Sequence, residues 1–171
     1  SATVAVERED FRVELHAVVI GALMDHAETY GRSVCAQHVF TVDVDEEFRL
    51  QAVLADRDRI AQVIRNLVSN AAKYSPAGGR IIVRASRTRP GVARFEVADE
   101  GRGITQADLE RVFDKFGRGS PTGNSRVPGV GLGLYICRRL ITSHGSELTV
   151  ESEPGTGSVF GFDLELVGEA R

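Results

Sequence analysis

The chain has no tryptophan, a single methionine and only two cysteines in 171 residues. Cys35 and Cys137 stand too far apart for a paired metal-ligand spacing and are too few for a disulfide framework, so both are read as reduced thiols in a cytosolic setting. No apolar run reaches the roughly 20 residues that cross a bilayer, and the first residues carry neither the basic nor the apolar region of a secretory signal. A block of one charge is missing too. The net charge of −3 comes from a mixed distribution, which excludes a large phosphate-backbone interface and leaves a local anion pocket open. Nucleic acid is therefore not an expected partner. Neither the P-loop nor the dinucleotide-binding glycine fingerprint occurs. Lysine is nearly absent: Lys73 and Lys115 stand against nineteen arginines, a bias that hints at a G+C-rich genome.

What is present suffices for one globular domain, since 42% of the residues are hydrophobic and a chain of this length can bury a core without staples. Ser1 rather than Met opens the chain, so it is expected to be a piece of a longer protein. Residues 1–10 read as a linker from an upstream domain, 11–168 as the domain itself and 169–171 as a tail.

The chain is organised around a helix that opens near Asp56 and ends at Ser75. Ile60, Val63, Ile64, Leu67, Val68 and Ala71 fall three and four apart on one face, as a core-facing stripe should. The opposite stripe, Gln62, Asn66, Ser69, Asn70 and Lys73, is built mostly of neutral amides where a wet face would carry Glu and Lys. Two readings are open: an Asn-rich solvated face, or one wall of a metal–nucleotide site. Carbonyl oxygens at i and i+4 can hold Mg²⁺ directly or through its waters, and a lysine one turn on can meet a phosphate as a point charge.

Before that helix, Phe11, Leu15, Val18, Val19 and Leu23 predict a helix over 8–30, with Gly31 as its stop. Strands follow over His38–Val44 and Phe48–Leu54 about an acidic turn, Asp45-Glu46-Glu47. His16 and His26 read as surface or boundary residues, because no ligand cluster accompanies them. After it, Ile81–Ser86 and Val92–Asp99 alternate with period two around Thr88–Gly91, an antiparallel hairpin. Ala93, Phe95 and Val97 share a face, and Asp99 continues that phase, so its carboxylate should point inward. Two glycines, Gly101 and Gly103, let something approach it closely. An inward acceptor suits an exocyclic amine such as that of adenine; a turn-forming Asp is the other reading.

Gln106–Val112 predicts a short helix. Residues 117–129 hold four Gly, two Pro and almost nothing apolar, and read as a lid-like loop or an ordinary surface loop. Gly129, Gly131 and Gly133 then open an apolar helix running to about Ser143, whose bare N–H groups should hold phosphate. His144-Gly145 closes it, with His144 as a cap rather than a base. Glu147–Glu151 and Ser158–Leu166 read as a hairpin across the turn that contains Gly155 and Gly157.

In that order the segments resemble the boxes of the GHKL ATP-binding superfamily, most closely the catalytic, ATP-binding domain of sensor histidine kinases. Asn66-Leu-Val-Ser-Asn70-Ala-Ala-Lys73-Tyr74-Ser75 resembles its N box, Asp99-Glu-Gly101-Arg-Gly103 its G1 box and Phe113-Asp-Lys-Phe116 its F box. Gly129-Val-Gly131-Leu132-Gly133-Leu134 resembles its G2 box and Gly155-Thr156-Gly157 its G3 box. The resemblance implies an α+β two-layer sandwich, a mixed and mainly antiparallel sheet covered on one face by helices, with a flexible lid over about 117–129. It implies ATP and Mg²⁺ as cofactors, Asn66 and Asn70 serving the metal, Lys73 and Arg118 the phosphates, and Tyr74 and Asp99 the adenine. Gly101, Gly103, Ile104, Phe116, Gly129, Gly131, Leu132, Gly133, Leu134 and Thr156 would frame the nucleotide, and Asn66, Lys73 and Arg118 would act in transfer. Gly117 departs from the aromatic that many relatives carry.

ATP-hydrolysing relatives such as gyrase and MutL place a Glu four residues before the Mg²⁺-binding Asn; here that place is Asn66, which is no general base near neutral pH. None of His16, His26, His38 or His144 sits in the phosphoacceptor pattern His-Glu-x-x-x-Pro. The implied partners are a separate dimerisation and phosphoacceptor domain and a response regulator, in a cytoplasmic part of a homodimeric parent that is either free or anchored in the bacterial inner membrane, this chain alone being a monomer. Two other readings stand beside it: a GHKL protein-serine kinase of the anti-sigma type, and an ATP-dependent interaction module that transfers nothing.

Overall fold

The computed structural model describes residues 10–114 and 130–168, the side chains of residues 130–132 excepted. In chain order the elements are β1 (His16–Val19), α1 (Ile20–Val34), β2 (Val39–Asp43), β3 (Ala52–Ala55), α2 (Arg57–Tyr74), β4 (Arg80–Arg89) and β5 (Val92–Asp99). The short α3 (Gln106–Leu109), α4 (Val130–Ser143), β6 (Thr149–Glu153) and β7 (Gly157–Glu165) follow. Five strands form one sheet in the order β2-β4-β5-β7-β6, and β1 and β3 form a separate pair. Only β2 joins the large sheet in parallel, on β4; its other neighbours run antiparallel.

Alternation on β4, β5 and β7 turns one face of that sheet towards the helices. Ile81, Val83 and Ala85, Ala93, Phe95 and Val97, and Phe160, Phe162 and Leu164 are all buried there. Phe95 and Phe162 lie opposite one another, their rings stacked at 5.5 Å. Helix α2 meets them with Ile60, Val63, Ile64, Leu67, Val68 and Ala71, every one buried, so the apolar stripe read from the sequence is the core face. Full burial stabilises by about 1.5–3 kcal/mol for each large aliphatic side chain. Leu134, Cys137, Leu140 and Ile141 of α4 close the same core.

The structure corrects several boundaries. No helix occupies residues 10–15, and His16–Val19 is a strand paired with Ala52–Ala55, His16 facing Ala55 and Val19 facing Ala52. The helix begins only at Ile20 and runs on past Gly31, which is not its stop. A Cβ at Gly31 would lie 2.0 Å from the Phe40 ring, so this glycine serves close packing of β2 on α1. Phe48–Leu50 is a 3₁₀ turn rather than strand. Asp45 Oδ1 accepts from the Glu47 N–H at 2.9 Å and sets the turn. In the hairpin β4 runs to Arg89 and only Pro90 and Gly91 turn, with a register shift between Arg87 and Arg89. The short helix stops at Leu109.

Candidate nucleotide site

Helix α2 starts on Asp56, whose carboxylate accepts from the Arg59 N–H at 3.2 Å and from the Glu14 N–H at 2.9 Å. That cap fixes the rotation of the amide stripe. Asn66 faces α4: a Cβ on Gly133 would stand 4.0 Å from its Cγ, and Cys137 lies on the same side. Burial pushes that thiol up to about 12, and its hydrogen donates to the Val63 carbonyl at 3.8 Å. Cys137 is thus inert packing beneath Asn66, and both cysteines are free and buried. Asn70, one turn on, is 8% exposed. Lys73 is exposed and Tyr74 half-buried at the helix end.

The carboxylate of Asp99 points where the strand phase places it. On β5 it follows Phe95 and Val97 on the core face, opposite Ile81 on β4 and Ser158 on β7. Burial raises its pKa, partly offset by backbone N–H groups of Gly101 and Ser158; the Gly101 N–H donates to Oδ1 at 2.8 Å. A Cβ on Gly101 would sit 2.6 Å from the Tyr74 carbonyl oxygen and 2.7 Å from Asp99 Oδ1. Only a residue without a side chain fits between the end of α2 and the end of β5.

The turn over residues 154–156 locks onto the same place. Gly157, at φ +132, brings its backbone against the Asp99 carbonyl, and Gly103, at φ +71, lies against the Glu153 carbonyl. The Gly155 N–H donates to the Arg102 carbonyl at 2.8 Å and the Ile104 N–H to Ser152 Oγ at 2.8 Å. Thr156 is exposed, its N–H donating to the Glu153 carbonyl. Arg102, in the segment after β5, reaches across to α2, its guanidinium carbon 4.8 Å from the centre of the Tyr74 ring, a cation–π contact.

Gly131 and Gly133 lie inside the first turn of α4, not before it. The N–H groups of that turn have no partner within the helix, and the helix dipole favours an anion there. Leu134 is 5% exposed, so its side chain belongs to the core. Phe113 packs edge-on against Phe160 at 6.1 Å. Lys115, Phe116, Arg118, Gly129 and the rest of the lid stretch lie outside the described residues, and the side chain of Leu132 is likewise outside.

The donors fit a magnesium nucleotide better than a resident metal centre. Among the described residues no group of three or more His, Cys, Asp or Glu could cage an ion. Two amide oxygens would leave Mg²⁺ most of its ligands to take from water and phosphate, its usual habit. The Asp99 acceptor and the bare Gly101 beside it suit a flat group with an amine. Ser152, Ser158 and Arg102 were missed in the sequence; a register count from the 154–156 turn would have found Ser158 opposite Ser152, whereas nothing local marks Arg102 or the pairing of Ser158 with Asp99.

Residues 55–168 match the family model described as histidine kinase-, DNA gyrase B-, and HSP90-like ATPase. The sensor-like histidine kinase SenX3 of Mycobacterium tuberculosis is 38% identical over 151 residues, covering 84% of this chain and 36% of SenX3. The sensor histidine kinase WalK of Bacillus subtilis is 37% identical over 110 residues, covering 64% of this chain and 18% of WalK. This chain therefore spans about a third or less of these relatives' length. Among solved structures, the mycobacterial sensor histidine kinase MprB superposes with a TM-score of 0.75 at 28% identity, over 90% of this chain and 98% of that one. The catalytic domain of the histidine kinase ThkA gives 0.70 at 28% identity, over 90% and 96%.

Proposed function

Because the chain belongs to the family of histidine kinase-, DNA gyrase B- and HSP90-like ATPases, with sensor histidine kinases as its relatives, we propose that it binds Mg·ATP and presents the γ-phosphate to a histidine on a separate dimerisation and phosphoacceptor domain. The observation that carries this is the half-buried Asp99 carboxylate, set by Gly101 and Ser158 beside the end of an amide-faced helix. Asp99 accepts from the adenine amine, with Tyr74 at the ring edge and Gly101, Gly103 and Ile104 shaping the slot. Asn66 and Asn70 offer their carbonyl oxygens to Mg²⁺, which neutralises phosphate charge when bound. Lys73 meets the phosphates, a role the family resemblance also gives to Arg118, and Gly131 and Gly133 leave the first turn of α4 free of large side chains for them.

Asn66 stands where a hydrolase needs a base, so water is not activated and the phosphoryl group waits for its acceptor. The acceptor is not in this chain. The ring of His144 is spent at both nitrogens, Nδ1 donating to the Leu140 carbonyl at 2.7 Å and Nε2 accepting from the Asp56 N–H at 3.1 Å. His38 Nε2 is 3.1 Å from the Ser75 carbonyl and His26 Nε2 is 3.2 Å from an Arg65 nitrogen. The parent is read as a homodimer that hands phosphate to a response regulator.

Calorimetric titration of a non-hydrolysable ATP analogue, with and without Mg²⁺, tests the first half. Mg²⁺-assisted binding is expected, and no binding by the folded chain would overturn the reading. For the second half, radiolabelled ATP should label a supplied phosphoacceptor domain but not the chain alone. Rapid self-labelling at histidine, or labelling of serine on a partner, would refute it.

A further inference from the structure

Away from the nucleotide site, α1 and α2 diverge to leave a cleft of about 470 Å³ lined by Ala22, Leu23 and His26 of α1 and Arg57, Asp58, Ala61 and Arg65 of α2. Arg57, Ala61 and Arg65 recur every four residues, so α2 presents an arginine, a small floor and a second arginine in line. The floor is apolar: Leu23 is 1% and Ala61 9% exposed. One Arg65 nitrogen lies 3.2 Å from His26 Nε2. A guanidinium only donates, so the imidazole accepts there and is neutral.

Among the described residues no carboxylate is ion-paired with Arg57 or Arg65. The field they leave is felt by His26, whose pKa is lowered by burial and then by Arg65 and Arg57. Arg57, Arg65 and Asp58 are the charged groups that line the cleft with it. With the imidazole neutral, two arginines and Asp58 leave one positive charge. A single carboxylate balances that charge. A dianionic phosphate would exceed it and meet Asp58 as a like charge.

We infer that the cleft between α1 and α2 is a docking site for an acidic segment of a protein partner, which places one Asp or Glu carboxylate between Arg57 and Arg65 and an apolar neighbour on Ala22 and Ala61. Arginine flanking a small apolar floor is the chemistry of interface anchor points. The site is independent of the nucleotide reading.

Acetyl-Glu-Leu-amide, its uncharged counterpart acetyl-Gln-Leu-amide and inorganic phosphate, each titrated into the isotopically labelled chain and followed by NMR, test it. The Glu peptide should shift the His26 ring and the Ala22 and Ala61 amides saturably, and should raise the His26 titration midpoint. The Gln peptide should bind at least tenfold more weakly. Arg57→Gln, at an exposed position, should weaken the Glu peptide at least fivefold while leaving resonances outside the cleft in place, and Arg65→Gln should do the same. Equal binding of the Gln peptide, shifts scattered over the surface, or phosphate binding the cleft more tightly than the Glu peptide would overturn the assignment.

Discussion

The Asp99 carboxylate, proposed to hold the adenine amine, is half-buried at a cost to the fold. Burial raises its pKa above the ordinary 3.8. A raised folded value means that the protonated form favours folding; that contribution is present below the unfolded pKa and lost as pH rises through the folded one. At pH 7 the ionised carboxylate therefore weighs against the native state. Asp99→Asn removes the charge and keeps an oxygen for the Gly101 N–H, so the variant should unfold at the same or a higher urea concentration than the parent. The same change should cost at least about tenfold in ATP-analogue affinity, or roughly 1.4 kcal/mol. A variant that is less stable yet binds normally would contradict both halves. Gly101→Ala should do the reverse: its methyl group would press on the Tyr74 carbonyl and on Asp99 Oδ1 at 2.6 and 2.7 Å. Overpacking of that kind costs about 1–3 kcal/mol, and a shift of the urea midpoint measures it.

Helix α2 was legible because both of its faces are periodic in sequence and its cap is local, Asp56 accepting from Arg59 three residues on. The segment before it was misread because its order is not local. Phe11, Leu15 and Val19 copy helical spacing, but Leu15 and Val19 are 40% and 47% exposed. What fixes His16–Val19 is pairing with Ala52–Ala55, invisible to a window along the chain. Phe11 packs instead against α4, with the Arg139 guanidinium over its ring at 4.5 Å and Tyr135 edge-on at 6.2 Å. The inward turn of Asp99 was legible from strand phase, whereas the Arg102 contact on Tyr74 depends on how a turn crosses a helix end. For α2 the consequence is testable. Alanine is a better helix former than asparagine by up to about 0.7 kcal/mol, so Asn66→Ala and Asn70→Ala should leave the helix formed. Each should bind the ATP analogue about as weakly with Mg²⁺ as the parent does without it, read by calorimetry beside circular dichroism. Full Mg²⁺ assistance in both variants would remove the amides from the metal's surroundings.

His144 joins parts of the chain that are far apart in sequence, tying the end of α4 to the start of α2 through Leu140 and Asp56. That bridge needs the neutral ring, because protonation at Nε2 would replace the acceptor with a donor facing the Asp56 N–H. Burial lowers its pKa, against the Leu140 hydrogen bond and the Asp56 charge, which raise it, and that of His26 is lowered as well. A lowered folded value means that the contribution to stability is whole above the unfolded value of 6.5 and is lost as pH falls through the folded one. Asp99 shifts the other way, but its loss or gain falls in the acid range above 3.8, so a variant at position 144 separates the two. Between pH 7.5 and 5 the parent should lose stability with a slope of at most about 1.4 kcal/mol per pH unit for each proton taken up. His144→Gln offers an oxygen that does not titrate. It should start slightly less stable, by about 0.5–1.5 kcal/mol for an imperfect hydrogen bond, and then fall less steeply, so that the two urea midpoints converge towards pH 5. Parallel curves would mean that the bridge between α4 and α2 does not sense protonation.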